Sequence, residues 1–318
     1  MTVTPLRNLG KDAIEEKGWF KAHKFLILRR STQIGTLALF LLGPWAGLYI
    51  LKGNLASSLV FDFIPLTEPL LFIQMLAAGF TGLSSAVIIG AAIVAVFYFL
   101  VGGRVYCSWV CPVNIVTDAA LWGRRKLDLK GSSKLKLSTR YWMLALTVAL
   151  AAVTGTLAYE LINPVSIIFR GLVFGMGLGW VVLIGIFAFD LLVAKRGWCG
   201  HLCPMGAFYS LLGARSLIRV RADGRDKCDD CMECYEVCPE LQVIPPAVKS
   251  APDGIPVILS GACTNCGRCI DICPHDVYAF GLRNRAFTAP HPLDAHNTNT
   301  SAETPQSEPT ETEETKVA

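Results

Sequence analysis

Histidine, charge and haem-attachment motifs are all scarce in this chain. No Cys-x₂-Cys-His sequence occurs, which excludes a covalently attached c-type haem by that route. The five histidines (His23, His201, His275, His291 and His296) all lie outside the long apolar runs. A haem b held by two histidines between those runs is therefore excluded as well. Only 17% of the 318 residues are charged, against 53% hydrophobic. That is apolar for a soluble globular protein and fits a membrane protein with a polar part attached. The net charge of +4 is unremarkable as a total, so its distribution carries the information.

Four runs are nearly free of charge: 31–51, 80–101, 141–159 and 171–194, with Asp190 the one exception. Each has the length, about 19–24 residues, that crosses a hydrocarbon core of about 30 Å as a helix. Lys and Arg cluster between them. Seven fall in the first 30 residues and eight in 102–140, against one each in 52–79 and 160–170. Basic loops stay on the cytoplasmic side. The expectation is a multi-pass protein of the bacterial inner membrane, with N- and C-termini cytoplasmic. Arg29-Arg30 reads as a positive anchor rather than an export signal, because no small-residue cleavage site follows it. Residues 11–30 read as an interfacial helix, and the basic loop 124–136 as a contact for anionic lipid headgroups rather than nucleic acid.

Cysteine, by contrast, is abundant, with twelve residues. Two stretches, CDDCMECYEVCPE (228–240) and CTNCGRCIDICPH (263–275), each read Cys-x₂-Cys-x₂-Cys-x₃-Cys-Pro. This is the bacterial-type ferredoxin run, in which three closely spaced thiolates hold one [4Fe–4S] cluster and the fourth crosses to the partner cluster. One cluster then takes Cys228, Cys231, Cys234 and Cys273, and the other Cys238, Cys263, Cys266 and Cys269. Structural zinc wants thiolates in two pairs, not two quartets of the same tight spacing. Asp229, Asp230 and Glu233 interleave the first triplet. Negative charge disfavours an added electron, so the first cluster is expected to have the lower potential; the plain alternative is that these acids only solvate the surface.

Four cysteines remain. Cys107 and Cys111 (followed by Pro112) come after the second apolar run, and Cys199 and Cys203 (followed by Pro204) after the fourth. The chain reads as a duplicated hairpin whose copies each end in Cys-x₃-Cys-Pro. Symmetry would bring the four thiols together. They ligate a further iron–sulfur centre, act as redox thiols, or are inert packing residues; their repetition weighs against the last.

The stretches GRVYCSWVCPVN and WCGHLCPMGAFY, with four apolar runs and a C-terminal two-cluster domain, resemble the NapH family over about residues 20–285. The resemblance implies a quinol dehydrogenase component of a periplasmic nitrate reductase pathway. Its partners would be the lipid bilayer, the quinone pool, and a periplasmic iron–sulfur protein and/or a multihaem cytochrome, with no nucleic acid. Relatives serve methylamine dehydrogenase, nitrous oxide reductase and copper-oxidase assembly. The chain carries neither the large extra-cytoplasmic domain of the second nor the additional C-terminal domain of the third, which favours NapH. Competing readings are a membrane iron–sulfur reductase in metal-cofactor assembly or maturation, and a redox-sensing scaffold.

Oxidation of a quinol releases two protons and two electrons, so a proton acceptor must stand at its site. The candidates are Asp62, Glu68, Glu160 and Asp190, the last close enough to Lys195 to pair with it. Cytoplasmic clusters would lie about 30 Å of hydrocarbon away from a periplasmic reductase, so a partner or another centre must bridge the gap. The expected organisation is an amphipathic N-terminal segment (1–30), a transmembrane four-helix bundle (31–214), an α+β bacterial-type 2[4Fe–4S] ferredoxin domain (215–287), and a disordered tail (288–318) too poor in large apolar residues to build a core.

Overall fold

The computed structural model describes residues 9–129, 133, 135–249 and 255–283. The expected tail, 288–318, lies outside them. The chain opens with two short helices, Lys11–Lys17 and Trp19–Ala22, and a long one, Lys24–Ala46. Next come three antiparallel strands, Leu51–Gly53, Ser57–Val60 and Ile64–Thr67, paired in sequence order with Lys52 opposite Leu59 and Leu59 opposite Pro65. The helices Pro69–Ala77, Ser85–Val101, Val113–Lys126, Thr139–Thr154, Ala158–Ile162, Pro164–Phe174, Gly179–Ala188 and Pro204–Leu212 follow. The C-terminal region is built on the antiparallel pair Ile218–Arg221 and Ala279–Leu282, with the short helices Glu233–Val237, Pro245–Val248 and Arg268–Ile272 between them.

Two expectations fail here: the four-helix transmembrane bundle and the multi-pass inner-membrane location with both termini cytoplasmic. Among the described residues one helix, Lys24–Ala46, is long and apolar enough to cross a membrane. The other apolar runs are cut short. Ser85–Val101 has 17 residues and Thr139–Thr154 has 16; at 1.5 Å per residue these rise about 24–26 Å, less than a core of about 30 Å. The fourth run is interrupted. Pro164–Phe174 stops at Gly175, whose φ of 93° no other residue adopts easily, and a new helix begins only at Gly179. The segment 52–79, read as a loop between spans, holds two of the three strands and a helix. The fold is mostly helical with two small sheets.

Two apolar cores result. The first gathers Leu70, Tyr98, Tyr106, Val113, Tyr159, Ile168, Met205 and Tyr209 from the helical part. The second gathers Val220, Ile244, Ile258, Val277 and Tyr278 in the C-terminal region. The N-terminal segment packs on that region. The Gly10 amide donates to Glu233 at 3.1 Å, the Phe25 and Leu26 amides donate to Asp271 at 3.1 and 3.0 Å, and the Lys17 ammonium donates to the Ile270 carbonyl at 3.3 Å.

Candidate iron–sulfur centres

The two Cys-x₃-Cys-Pro motifs form the same local structure. Tyr106–Val110 and Trp198–Leu202 are each a single π-helical turn, closed by the Cys111 amide on the Tyr106 carbonyl at 3.0 Å and the Cys203 amide on the Trp198 carbonyl at 2.9 Å. Cys111 (φ −65°, ψ 120°) and Cys203 (φ −71°, ψ 116°) then leave the turn extended. Each precedes a proline, a residue that cannot continue a helix but readily starts one, and the helices Val113–Lys126 and Pro204–Leu212 follow.

The fold brings these turns together. Cys107, Cys111, Cys199 and Cys203 pack against the first core and lie close enough for their charges to influence one another. Burial pushes the Cys107 thiol up to about 11, although the Arg104 guanidinium beside it acts the other way. Thiolates in so apolar a setting need a compensating cation, and four soft ligands within electrostatic reach of one another are of the chemistry that suits an iron–sulfur cluster.

The ferredoxin-type loops also share one backbone path. In the first, Asp230 (φ 58°) and Met232 (φ 64°) are left-handed; in the second, Asn265 (φ 45°) and Gly267 (φ 73°) occupy the equivalent positions. Alternating left-handed residues turn successive amides inward, the concave arrangement that binds anions such as a thiolate-ligated cluster. Cys228, Cys231, Cys234 and Cys273 line one pocket, so Cys273 has crossed from the second motif to the first. Cys238 has crossed the other way and lies within electrostatic reach of Cys263, Cys266 and Cys269. The Tyr278 hydroxyl donates to Cys234 Sγ at 3.3 Å.

Buried charge joins the Cys-x₃-Cys-Pro turns to the loops around Cys238 and Cys263, and none of it is legible from spacing. Arg104, 2% exposed, donates to Glu240, to the Ala262 carbonyl at 2.9 Å and to the Cys199 carbonyl at 2.9 Å. Arg140 adds a second bond to Glu240 at 3.0 Å. Burial opposes ionisation of Glu240, yet the Arg104 and Arg140 charges hold its carboxyl below the usual range. Asp118 is a second hub, facing Arg30, Arg196 at 3.2 Å, Arg268 at 2.7 Å and Arg29 at 3.8 Å. Arg29 and Arg30 therefore pair inside the protein.

The four candidate proton acceptors have different surroundings. Asp62 is exposed and pairs with Lys52 at 2.6 Å. Glu160 accepts from Asn163 at 2.9 Å and from Ser166 at 2.6 Å. Asp190 is buried and accepts from the Trp198 amide at 2.9 Å, bracing the second π-turn, while Lys195 pairs with Glu236 at 2.8 Å. Glu68 is buried at 6% exposure. One of its oxygens accepts from the Leu71 amide at 2.6 Å and the other has no partner. Burial pushes its carboxyl up to about 7.

Comparison with known proteins agrees with the cysteine geometry. Residues 84–130 match the family described as "4Fe-4S binding domain", and residues 196–244 and 227–277 each match one described as "4Fe-4S dicluster domain". The ferredoxin-type protein NapH of Haemophilus influenzae is 47% identical over 275 residues, 86% of this chain and 95% of the relative. The chain belongs to the NapH/MauN family of ferredoxin-type proteins. The methylamine utilization ferredoxin-type protein MauN of Paracoccus denitrificans is 50% identical over 86% of this chain and 95% of its own. NapH of Escherichia coli is 46% identical over 87% and 96%. No solved structure matches. As a NapH/MauN protein, the chain is an iron–sulfur electron-transfer protein with 4Fe-4S-binding domains.

Proposed function

We propose that the chain is the quinol-oxidising subunit of a respiratory electron-transfer chain. In this reading Cys107, Cys111, Cys199 and Cys203 hold an additional iron–sulfur centre. Cys228, Cys231, Cys234 and Cys273 hold one [4Fe–4S] cluster, and Cys238, Cys263, Cys266 and Cys269 hold the other. When bound, such clusters accept and release electrons one at a time. The protein's own part is to keep the thiolates at fixed separations, to exclude water from the four-thiol site, and to balance buried charge through Arg104, Arg140 and Glu240. The observation that carries the reading is the approach of four half-buried thiols from two separate turns to within electrostatic reach of one another, beside the loop of Cys263 and Cys266.

The partner in this reading is a periplasmic redox protein of a nitrate reductase pathway, as the NapH relatives suggest. Service to methylamine utilization is a second reading, because MauN of Paracoccus denitrificans is at least as similar in sequence. Complementation separates them: the gene restores nitrate-dependent growth to a strain lacking NapH under the first reading, and methylamine growth to one lacking MauN under the second. For the centres, a Cys107→Ala protein purified anaerobically should hold about four fewer iron atoms than wild type, with the ferredoxin-type EPR signals kept. Unchanged iron and sulfide would remove the additional centre. A wild-type protein whose clusters no quinol reduces would remove quinol oxidation.

A further inference from the structure

A cavity of about 370 Å³ lies between the three-stranded sheet, the helix Ser85–Val101 and the first π-turn. It is within the size range of small-molecule sites. Its lining is apolar apart from a few convergent groups: Glu68, Tyr98, Tyr106 and Tyr209, with Thr67 and Ser58 at the strand side. Glu68 is part of this lining and has one oxygen without a hydrogen-bond partner, as has the Tyr106 hydroxyl, while the Tyr209 hydroxyl stands near enough to Glu68 to interact with its carboxyl. An orphaned carboxyl oxygen and an orphaned hydroxyl on residues that line one apolar chamber are costly unless something pairs with them.

The tyrosines form the wall toward the thiols. Tyr106 and Tyr209 stack with ring centres 5.0 Å apart and planes 19° apart, and Tyr98 meets Tyr209 edge-on at 5.2 Å. Tyr106 is followed in the chain by Cys107, and Cys107 and Cys111 lie within electrostatic reach of Tyr98. The same aromatic layer thus faces the cavity on one side and the four-thiol site on the other.

An occupant must be mostly apolar, flat enough to lie against tyrosine rings, and able both to donate to a carboxylate and to accept from a hydroxyl. A hydroquinone ring has all of these properties, and its oxidised form keeps the acceptor oxygens. We propose that this cavity binds the ring of a hydroquinone, with Glu68 accepting the proton of one ring hydroxyl, and that electrons enter the protein at the centre of Cys107, Cys111, Cys199 and Cys203. The proposal rests on the electron-transfer reading above and locates its substrate. Oxidation breaks the two O–H bonds of the hydroquinone and yields the quinone. One proton passes to the Glu68 carboxylate, the second leaves to water, and the two electrons leave singly to the iron–sulfur acceptor. Glu160 is a charged group whose field reaches Glu68, and the Tyr209 hydroxyl interacts with it directly. The carboxyl value of about 7 lets Glu68 take and release a proton near neutral pH.

The test uses the intact, cluster-loaded protein and a short-chain para-benzoquinone as probe. Equilibrium binding of the oxidised quinone is followed by quenching of intrinsic fluorescence, with iron and sulfide counted in each sample. Val94→Trp on the helix and Leu66→Trp on a strand both fill the cavity from separate elements. Each is expected to raise Kd tenfold or more at unchanged iron content. If one fails to fold, the other decides. Glu68→Gln keeps the shape and is expected to bind quinone within about threefold of wild type, yet to slow quinol-driven cluster bleaching on the order of 100-fold. Wild-type affinity in both filled variants, or a wild-type bleaching rate in Glu68→Gln, overturns the site and leaves quinol oxidation standing. Wild-type protein that neither binds the quinone nor is bleached by quinol, while still reduced by dithionite, overturns the functional reading as well.

Discussion

The two Cys-x₃-Cys-Pro turns are copies in backbone and opposites in surroundings. In both, an arginine stands three residues before the first cysteine, an aromatic residue stands immediately before it, and a single π-turn delivers the pair. The first copy is fastened to the ferredoxin-type region. Ser108 Oγ donates to the Thr264 carbonyl at 2.7 Å, Trp109 Nε1 donates to the Asn265 carbonyl at 3.0 Å, and Arg104 bonds to Glu240. The second copy has Gly200 and His201 at the positions of Ser108 and Trp109, and Arg196 turns to Asp118 instead. His201 is half-buried, and its ring nitrogen lies 3.4 Å from the Lys136 carbonyl. The shared part of the duplication supplies thiols and the divergent part supplies docking, so the comparison separates ligand chemistry from assembly.

The largest test asks whether the thiols are equivalent. Cys107→Ala and Cys199→Ala, one from each copy, should lower iron content equally and abolish quinol-driven cluster reduction; a loss from one copy only would break the symmetry. Backbone contact should be asymmetric. A Cβ at Gly103 would stand 1.8 Å from the Tyr209 carbonyl oxygen, whereas at Gly200 the nearest atom is 3.9 Å away. Gly103→Ala is therefore expected to cost about 3–5 kcal/mol or prevent folding, and Gly200→Ala to stay within about 1 kcal/mol, read from urea unfolding.

Glu68 lies beside the first copy's Tyr106, and its titration gives a pH signature. Its native value near 7 stands above the usual 4.5, so the folded state holds a proton that the unfolded state has lost between those values. Stability should fall as pH rises from about 4.5 to 7 and then level off, by about 3 kcal/mol at most. Glu68→Gln should lack that decline and be the more stable protein at pH 8. The smallest effect concerns docking. Trp109→Phe removes one partly buried hydrogen bond and should cost about 1 kcal/mol, while His201→Ala, at the same place in the second copy, should be near neutral.

The cysteine chemistry was legible because ligand spacing is a local property. Spacing alone marks the regions that match 4Fe-4S-binding families, while the division of twelve thiols into three ligand sets stays an expectation. The span lengths were not legible. Composition registers that 171–194 holds a single charge, Asp190, but not that Gly175 breaks the helix there, and a run of apolar residues is compatible with a strand as readily as with a helix end, as Leu51 shows. The buried hubs Asp118 and Glu240 were invisible for a different reason. Their arginine partners come from positions as far as 150 residues away, and single charges in polar stretches look solvated until the fold closes over them. Glu68 was one acid among four. Burial and an unsatisfied oxygen, neither a property of sequence, distinguish it from Asp62, Glu160 and Asp190.

Arg104 bears on how the chain is made. Its guanidinium is satisfied by groups 95, 136 and 158 residues further along, at Cys199, Glu240 and Ala262. At 5–20 residues per second a ribosome needs roughly 8–30 s to deliver the last of them. Throughout that interval the first turn exists without the contacts that fasten it, so the nascent chain has to keep a cationic side chain hydrated where the finished protein is dry. Maturation is thereby ordered, and the cysteine site at the hairpin ends closes only after the youngest third of the polypeptide has emerged and docked.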